Sequence, residues 1–267
     1  MSFRRIAAAA AALSYAFLPA GARAVETAPL TATPGGLYSV QASVDGRPPV
    51  AMLLDLGAGI DMLSAGLGGQ VVFGVDRAYT AWSPTGERRD MPMGSVVSLA
   101  LGEYSLADNT VGIWKGLDGS GFDGAISAMA FKDVVTTFDF KNRQLVVEDA
   151  PSFAERKRSA TYVPFVVVDD RSIGLRIFAP FDFGGRTGLC LVDTGITGIA
   201  VNRQFAASMH QPVASIALHA APQIALANPP IAIENLVYDC DVGLAFWANR
   251  ALTIDIPNRA MFVGSPT

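Results

Sequence analysis

Leu189-Cys190-Leu191-Val192-Asp193-Thr194-Gly195 is the stretch whose reading decides the fold. Its apolar run reads as a short buried strand. Burying a carboxylate at the tip of such a strand is costly without partners, so an aspartate there signals use. Gly195 permits the tight turn that presents Asp193 at the strand end. Upstream, Val50-Ala51-Met52-Leu53-Leu54-Asp55-Leu56-Gly57 repeats the form: apolar strand, aspartate, one residue, glycine.

The repetition extends further. Phe122-Asp123-Gly124-Ala125-Ile126, running on to Thr137-Phe138-Asp139-Phe140-Lys141-Asn142-Arg143, has a copy downstream. That copy is Tyr238-Asp239-Cys240-Asp241-Val242, running on to Thr253-Ile254-Asp255-Ile256-Pro257-Asn258-Arg259, at a constant offset of 116. The two Asp-Xaa-Gly units stand 138 apart, so the second copy is 22 residues shorter between its landmarks. A duplication of this size implies two similar lobes, each giving one carboxylate.

These motifs resemble the retropepsin/pepsin-like aspartic peptidases in their two-lobed form. That family has an apolar strand ending in Asp-Thr/Ser-Gly, a later Asp-Gly-apolar-apolar-Gly, and a closing T-I-D-x-x-N-R strand pair. The resemblance covers nearly all of the chain from Leu37 onward. It implies an all-β fold of two similar barrel-like lobes with a cleft between them. It also implies a catalytic dyad of Asp55 and Asp193, supported by Gly57, Thr194, Gly195 and Thr197. The family places its flap, a hairpin over the cleft, where Tyr79 to Met93 carries the turn signal Ser83-Pro84-Thr85-Gly86. Tyr79 and Trp82 are then either substrate-facing aromatics or ordinary packing residues of that hairpin. Cys190 and Cys240 fall in two segments that run close together in this family, which suits either a disulfide or two buried thiols.

Bulk properties agree with a globular exported protein. The 267 residues are 51% hydrophobic and 16% charged, enough to bury a sizeable core. Arg4 and Arg5 precede an apolar run from Ile6 to Leu18, and Ala22-Arg23-Ala24 is a small-x-small cleavage site, the pattern of a secretory signal peptide. Its apolar run is shorter than the roughly 20 residues a membrane span needs. Removing Arg4, Arg5 and Arg23 leaves 17 basic against 24 acidic residues, a formal charge of −7. An acidic surface without a basic block argues against nucleic acid and anionic membranes as partners. The expected location is the periplasm or the cell exterior, where a disulfide can persist.

The expected organisation is a signal peptide at 1–24, a first lobe at 25–150, a polar exposed linker at 151–160 and a second lobe at 161–267. Val25 to Gly36 reads as a flexible lead-in, and Tyr162 to Val168 as the first strand of the second lobe. Short helices are expected near Asp61–Leu67 and Asn202–Met209. The interval between Asp193 and Asp239 leaves little room for a second flap.

Two carboxylates brought together cannot both ionise cheaply, so they share a proton. The ionised member then activates a water while the protonated one hydrogen-bonds to the scissile carbonyl. No metal or cofactor is expected, and His210 and His219 read as surface or packing residues. Because the duplication supplies both aspartates, one chain suffices and a monomer is expected.

Several positions depart from the family pattern. Leu56 replaces the hydroxyl residue that Thr194 keeps, and Gly59 stands where the second lobe has Thr197. Ser127 stands where glycine is expected, Cys240-Asp241 replaces Gly-apolar, and Ile196 is bulkier than usual. Two functions therefore follow: an exported aspartic endopeptidase, or a pseudo-peptidase that binds a peptide or protein in the same cleft without cutting it.

Overall fold

The computed structural model describes residues 25–106, 108–170, 174–210 and 212–264. The proposed signal peptide lies outside them. Strand Val135–Asp139 runs antiparallel to strand Ala251–Asp255, with Thr137 paired to Thr253. These residues are 116 apart, so each is paired with its own duplicate, and their hydroxyls hydrogen-bond at 2.7 Å. An approximate twofold axis therefore passes through this pair.

The axis relates two sets of three strands in one sheet. Glu26–Ala32, Gln144–Val147 and Val135–Asp139 lie on one side; Ala251–Asp255, Ala260–Gly264 and Ala160–Pro164 lie on the other. The repeated D-x-x-N-R run makes the two equivalent hairpin turns. Asp139 accepts from the backbone and side-chain amides of Asn142, and Asp255 does the same with Asn258. Arg143 and Arg259 follow at φ 57° and 51°.

Each lobe threads its aspartate strand through the same frame. Val50–Leu54 lies between antiparallel Tyr38–Val44 and parallel Gly124–Ile126. Arg186–Val192 lies between antiparallel Gly174–Phe183 and parallel Cys240–Val242. Each aspartate is then held at its strand tip by an equivalent backbone bond, Asp55 N–H to Ile126 O at 2.9 Å and Asp193 N–H to Val242 O at 3.1 Å. The fold is all-β with two similar lobes.

Several local expectations are corrected. Glu26–Ala32 is a strand, not a flexible lead-in: its first half pairs with Gln144–Val147 and its end with Tyr38–Val40. Long-range pairing overrides the weak local preference of this Thr/Ala/Pro-rich run. The proposed linker is exposed but ordered, forming helix Ala150–Ser159 and passing straight into strand Ala160–Pro164. Asp149 caps this helix through a capping box with Ser152, and Pro151 occupies its first turn, where a missing N–H costs nothing. The run Tyr162–Val168 divides at Phe165 into two strands that pair with different partners. The first short helix is Ala65–Val71, capped by Ser64, because Met62–Ser64 is drawn into the sheet; the other is Arg203–Ala207, capped by Asn202. Among the described residues, no helix is long and apolar enough to cross a membrane.

Candidate active site

Asp55 and Asp193 meet where the two strand tips converge, and their carboxyl groups hydrogen-bond to each other. Each loop supplies its aspartate with backbone donors: Ala58 N–H reaches Asp55 Oδ1 at 2.9 Å, and Gly195 N–H reaches Asp193 Oδ1 at 2.7 Å. The glycines are needed across the interface, not within their own turns. A Cβ on Gly57 would overlap the Asp193 carboxyl, and one on Gly195 would stand 2.5 Å from Asp55 Cγ. Each lobe thus leaves room for the other lobe's carboxylate.

Burial raises both acids. Asp55 is pushed up chiefly by loss of water, opposed by the Ala58 N–H. Asp193 is raised well above its ordinary value, first by burial and then by the charges of Asp55 and Asp241. Both shifts have the same direction, so the neutral form of each acid is favoured over that of an isolated aspartate.

The cross-lobe support is one-sided. Thr194 Oγ1 accepts from Leu56 N–H at 3.0 Å and donates to Leu54 O at 2.7 Å. Leu56 cannot return these bonds; its side chain is fully buried in the main core. Thr197 is exposed, with its methyl 3.3 Å from the position of a Cβ on Gly36.

Other departures have local causes. At Gly59 a Cβ would come 2.8 Å from the Tyr79 hydroxyl, so Tyr79 takes the space a side chain would fill. Ser127 donates from both backbone and hydroxyl to buried Asp61, at 2.7 and 2.9 Å, and caps the following turn through Met129 N–H. Cys240 is bonded to Cys190, on the neighbouring strand in register. Met52 and Gly124 hold the equivalent pair in the first lobe, where a Cβ on Gly124 would overlap the Met52 side chain. A disulfide thus stands where the other lobe packs methionine over glycine. Ile196 and Thr197 anchor their loop by accepting from Leu244 and Ala245 N–H groups at 3.0 and 2.7 Å.

The hairpin Phe73–Trp82 and Arg88–Ser95 covers the site. Its turn closes through Gly86 N–H to Ser83 O at 2.9 Å, with Gly86 at φ +87°. The tip touches the opposite lobe, where Val237 N–H donates to Pro84 O at 2.9 Å. Tyr79 is buried and Trp82 is 55% exposed, and both line the cleft with Asp55 and Asp193. The cleft volume is about 300 Å³. The second lobe's strands Ser215–Leu218 and Ala221–Ala227 pair into the sheet beside Gly174–Phe183.

Asp241 is an acid beside Asp193 that sequence reasoning did not place in the site. It is 2% exposed, accepts from the Tyr238 hydroxyl at 3.3 Å and lies within hydrogen-bonding reach of Asp193. Its Oδ1 is buried with no hydrogen-bond partner among the described residues. Burial raises Asp241 to about 7. The equivalent residue in the first lobe is Ala125, so the duplication itself marked the position as unusual. Among the described residues, no cluster of His, Cys, Asp or Glu has a metal-binding arrangement. His219 is exposed beside Asp182 at 2.9 Å, and His210 N–H donates to Gly184 O at the Gly184–Gly185 turn.

Solved structures share this architecture at low identity. Basic 7S globulin from soybean is 9% identical, with a TM-score of 0.58 over 90% of this chain and 94% of its own. The structure described as edgp is 8% identical, with a TM-score of 0.60 over 93% of this chain and 96% of its own. The likeness spans both lobes and is one of fold: the chain has a pepsin-like fold. No protein-family model and no curated protein sequence matches it significantly.

Proposed function

We propose that this chain is an exported aspartic endopeptidase that hydrolyses peptide bonds with a water activated by Asp55 and Asp193. The observation that carries this reading is the reciprocal clearance at Gly57 and Gly195, which gives each carboxylate its place against the other. Such clearance serves two acids that must share a proton. The ionised member takes a proton from water, the protonated member hydrogen-bonds to the scissile carbonyl, and water attacks without a covalent intermediate. An extended peptide lies in the cleft under the Tyr79–Trp82 hairpin by strand-like pairing. The Cys190–Cys240 bond suits an oxidising compartment, in keeping with export.

A second reading is favoured by Leu56: a binding module that retains the cleft without turnover. Digestion of a degenerate peptide library by the protein starting at Val25, compared with Asp193→Ala and Asp55→Ala, separates the two. Cleavage products from the parent alone support the peptidase. Products absent from all three proteins, with peptides retained by the folded parent, support the binding module.

A further inference from the structure

Arg176 is a half-buried cation lining the cleft, with no counter-ion among the described residues. It follows Gly174 and Leu175 in a strand that docks directly under the Asp55 loop: Leu175 N–H donates to Gly59 O at 2.7 Å. Gly174 is packed so tightly that a Cβ there would stand 2.5 Å from the Tyr79 hydroxyl. Residues two apart on a strand share a face, so Arg176 emerges on this same side. Its Nε lies 3.7 Å from the position of a Cβ on Gly59, and its charge acts on the Tyr238 hydroxyl. It therefore stands between the loop of one aspartate and the tyrosine that supports Asp241, and it lines the cleft with Asp193.

Among the described residues, no ion pair or hydrogen bond engages the Arg176 guanidinium. The other arginine of the cleft, Arg89, is already occupied: it stacks over Trp114 at 5.6 Å and approaches the Glu87 carboxylate at 3.6 Å. A partly desolvated guanidinium is costly to leave unpaired, and its planar fork matches a carboxylate with two parallel hydrogen bonds. Asp55 and Asp193 are engaged with each other and with backbone donors, and Arg176 lines the open cleft beside them.

We propose that Arg176 makes the cleft selective for peptides carrying a carboxylate close to the bond held at the dyad. This rests on the peptidase reading for its readout by cleavage, but the selectivity itself needs only binding. The carboxylate belongs either to a Glu or Asp side chain or to a nearby free C-terminus.

The test uses acetylated, amidated octapeptide libraries with Glu or Gln fixed at successive positions, plus the Gln set with free C-termini. They are offered to the parent, Arg176→Ala and Arg176→Lys, with circular dichroism confirming the fold. The expected result is about tenfold or greater preference for Glu over Gln at one or two positions, as a charge-assisted pair provides. Arg176→Ala loses that preference and Arg176→Lys keeps part of it. A preference for free over amidated termini that disappears in Arg176→Ala assigns the carboxylate to the C-terminus and equally supports the proposal. If Arg176 acted only on the dyad, Arg176→Ala would slow both libraries alike and leave their ratio unchanged, which overturns it. Should no library be cut, retention of the same peptides by the parent and Arg176→Ala is measured instead. An Arg176-dependent Glu preference in binding then sustains the inference while the peptidase reading fails, and no preference sinks the inference.

Discussion

Thr194 reaches across the lobe interface to Leu56, and Leu56 does not reach back. The hydroxyl of Thr194 accepts from Leu56 N–H and donates to Leu54 O, at 3.0 and 2.7 Å, so one side chain satisfies two buried backbone groups of the other lobe. Thr194→Val keeps the shape but leaves both groups without partners. The expected loss is about 1–3 kcal/mol of stability. Thermal melting should fall by about 2–4 °C for each kcal/mol in a chain of this size. The same substitution should lower kcat at least about tenfold, because small displacements of reacting groups cost rate steeply. A melt and a kcat both unchanged would show that this link carries neither load.

Gly57→Ala and Gly195→Ala test the reciprocal clearance. Each adds one methyl group directly against the opposing carboxyl. Both should abolish peptide cleavage while a control, Gly69→Ala, keeps it, since a Cβ there meets nothing within 4 Å. Steady-state rates on one fluorogenic peptide read all three, and an active Gly57→Ala enzyme would contradict the geometry.

The buried acids set a pH dependence of stability. Burial raises both Asp61 and Asp241 to about 7. A carboxyl whose pKa is higher in the folded than the unfolded state stabilises the fold while protonated, and this contribution is lost as pH rises through the folded value. Melting temperature should therefore fall between about pH 4 and 7. Asp241→Asn and Asp61→Asn should each flatten that slope. Asp241→Asn should also move the cleavage profile toward acid, because it removes a neighbouring charge that raises Asp193. A profile and a slope identical to the parent's would exclude Asp241 from the proton network.

The disulfide closes a loop across 50 positions. Reduction, or Cys190→Ala paired with Cys240→Ala, should cost about 2–4 kcal/mol in chemical denaturation. Because the bond joins the strands leading to Asp193 and Asp241, the double variant should also lower activity below its denaturation threshold. Equal denaturation midpoints for the oxidised and reduced protein would contradict this.

The duplication made the central architecture legible. The offset of 116 anticipated two lobes, and the structure places Thr137 against Thr253 at that same separation. The aspartate strands were legible because a carboxylate at the end of an apolar run has few structural uses. Asp241 was harder to read, since a substituted motif position looks the same whether it marks decay or an added acid; only burial beside Asp193 distinguishes them. Leu56 and Gly59 also looked like simple losses. Leu56 instead fills the core, and Gly59 yields its space to Tyr79. Strand Glu26–Ala32 was hidden because the partner of its first half lies more than a hundred residues away, at Gln144–Val147. Helix Ala150–Ser159 carried its start signal in Asp149, Pro151 and Ser152, which the charge run after it obscured.

The central claim is that Asp55 and Asp193 share a proton and together activate water. Its most direct test is the rate of peptide cleavage from about pH 3 to 7, the range bracketing a split carboxylate pair, for the parent and Asp193→Asn. A bell-shaped profile for the folded parent, with no rate above background in Asp193→Asn at any pH, is the predicted result. Equal rates in the two proteins, or no cleavage by the folded parent at any pH, would contradict it.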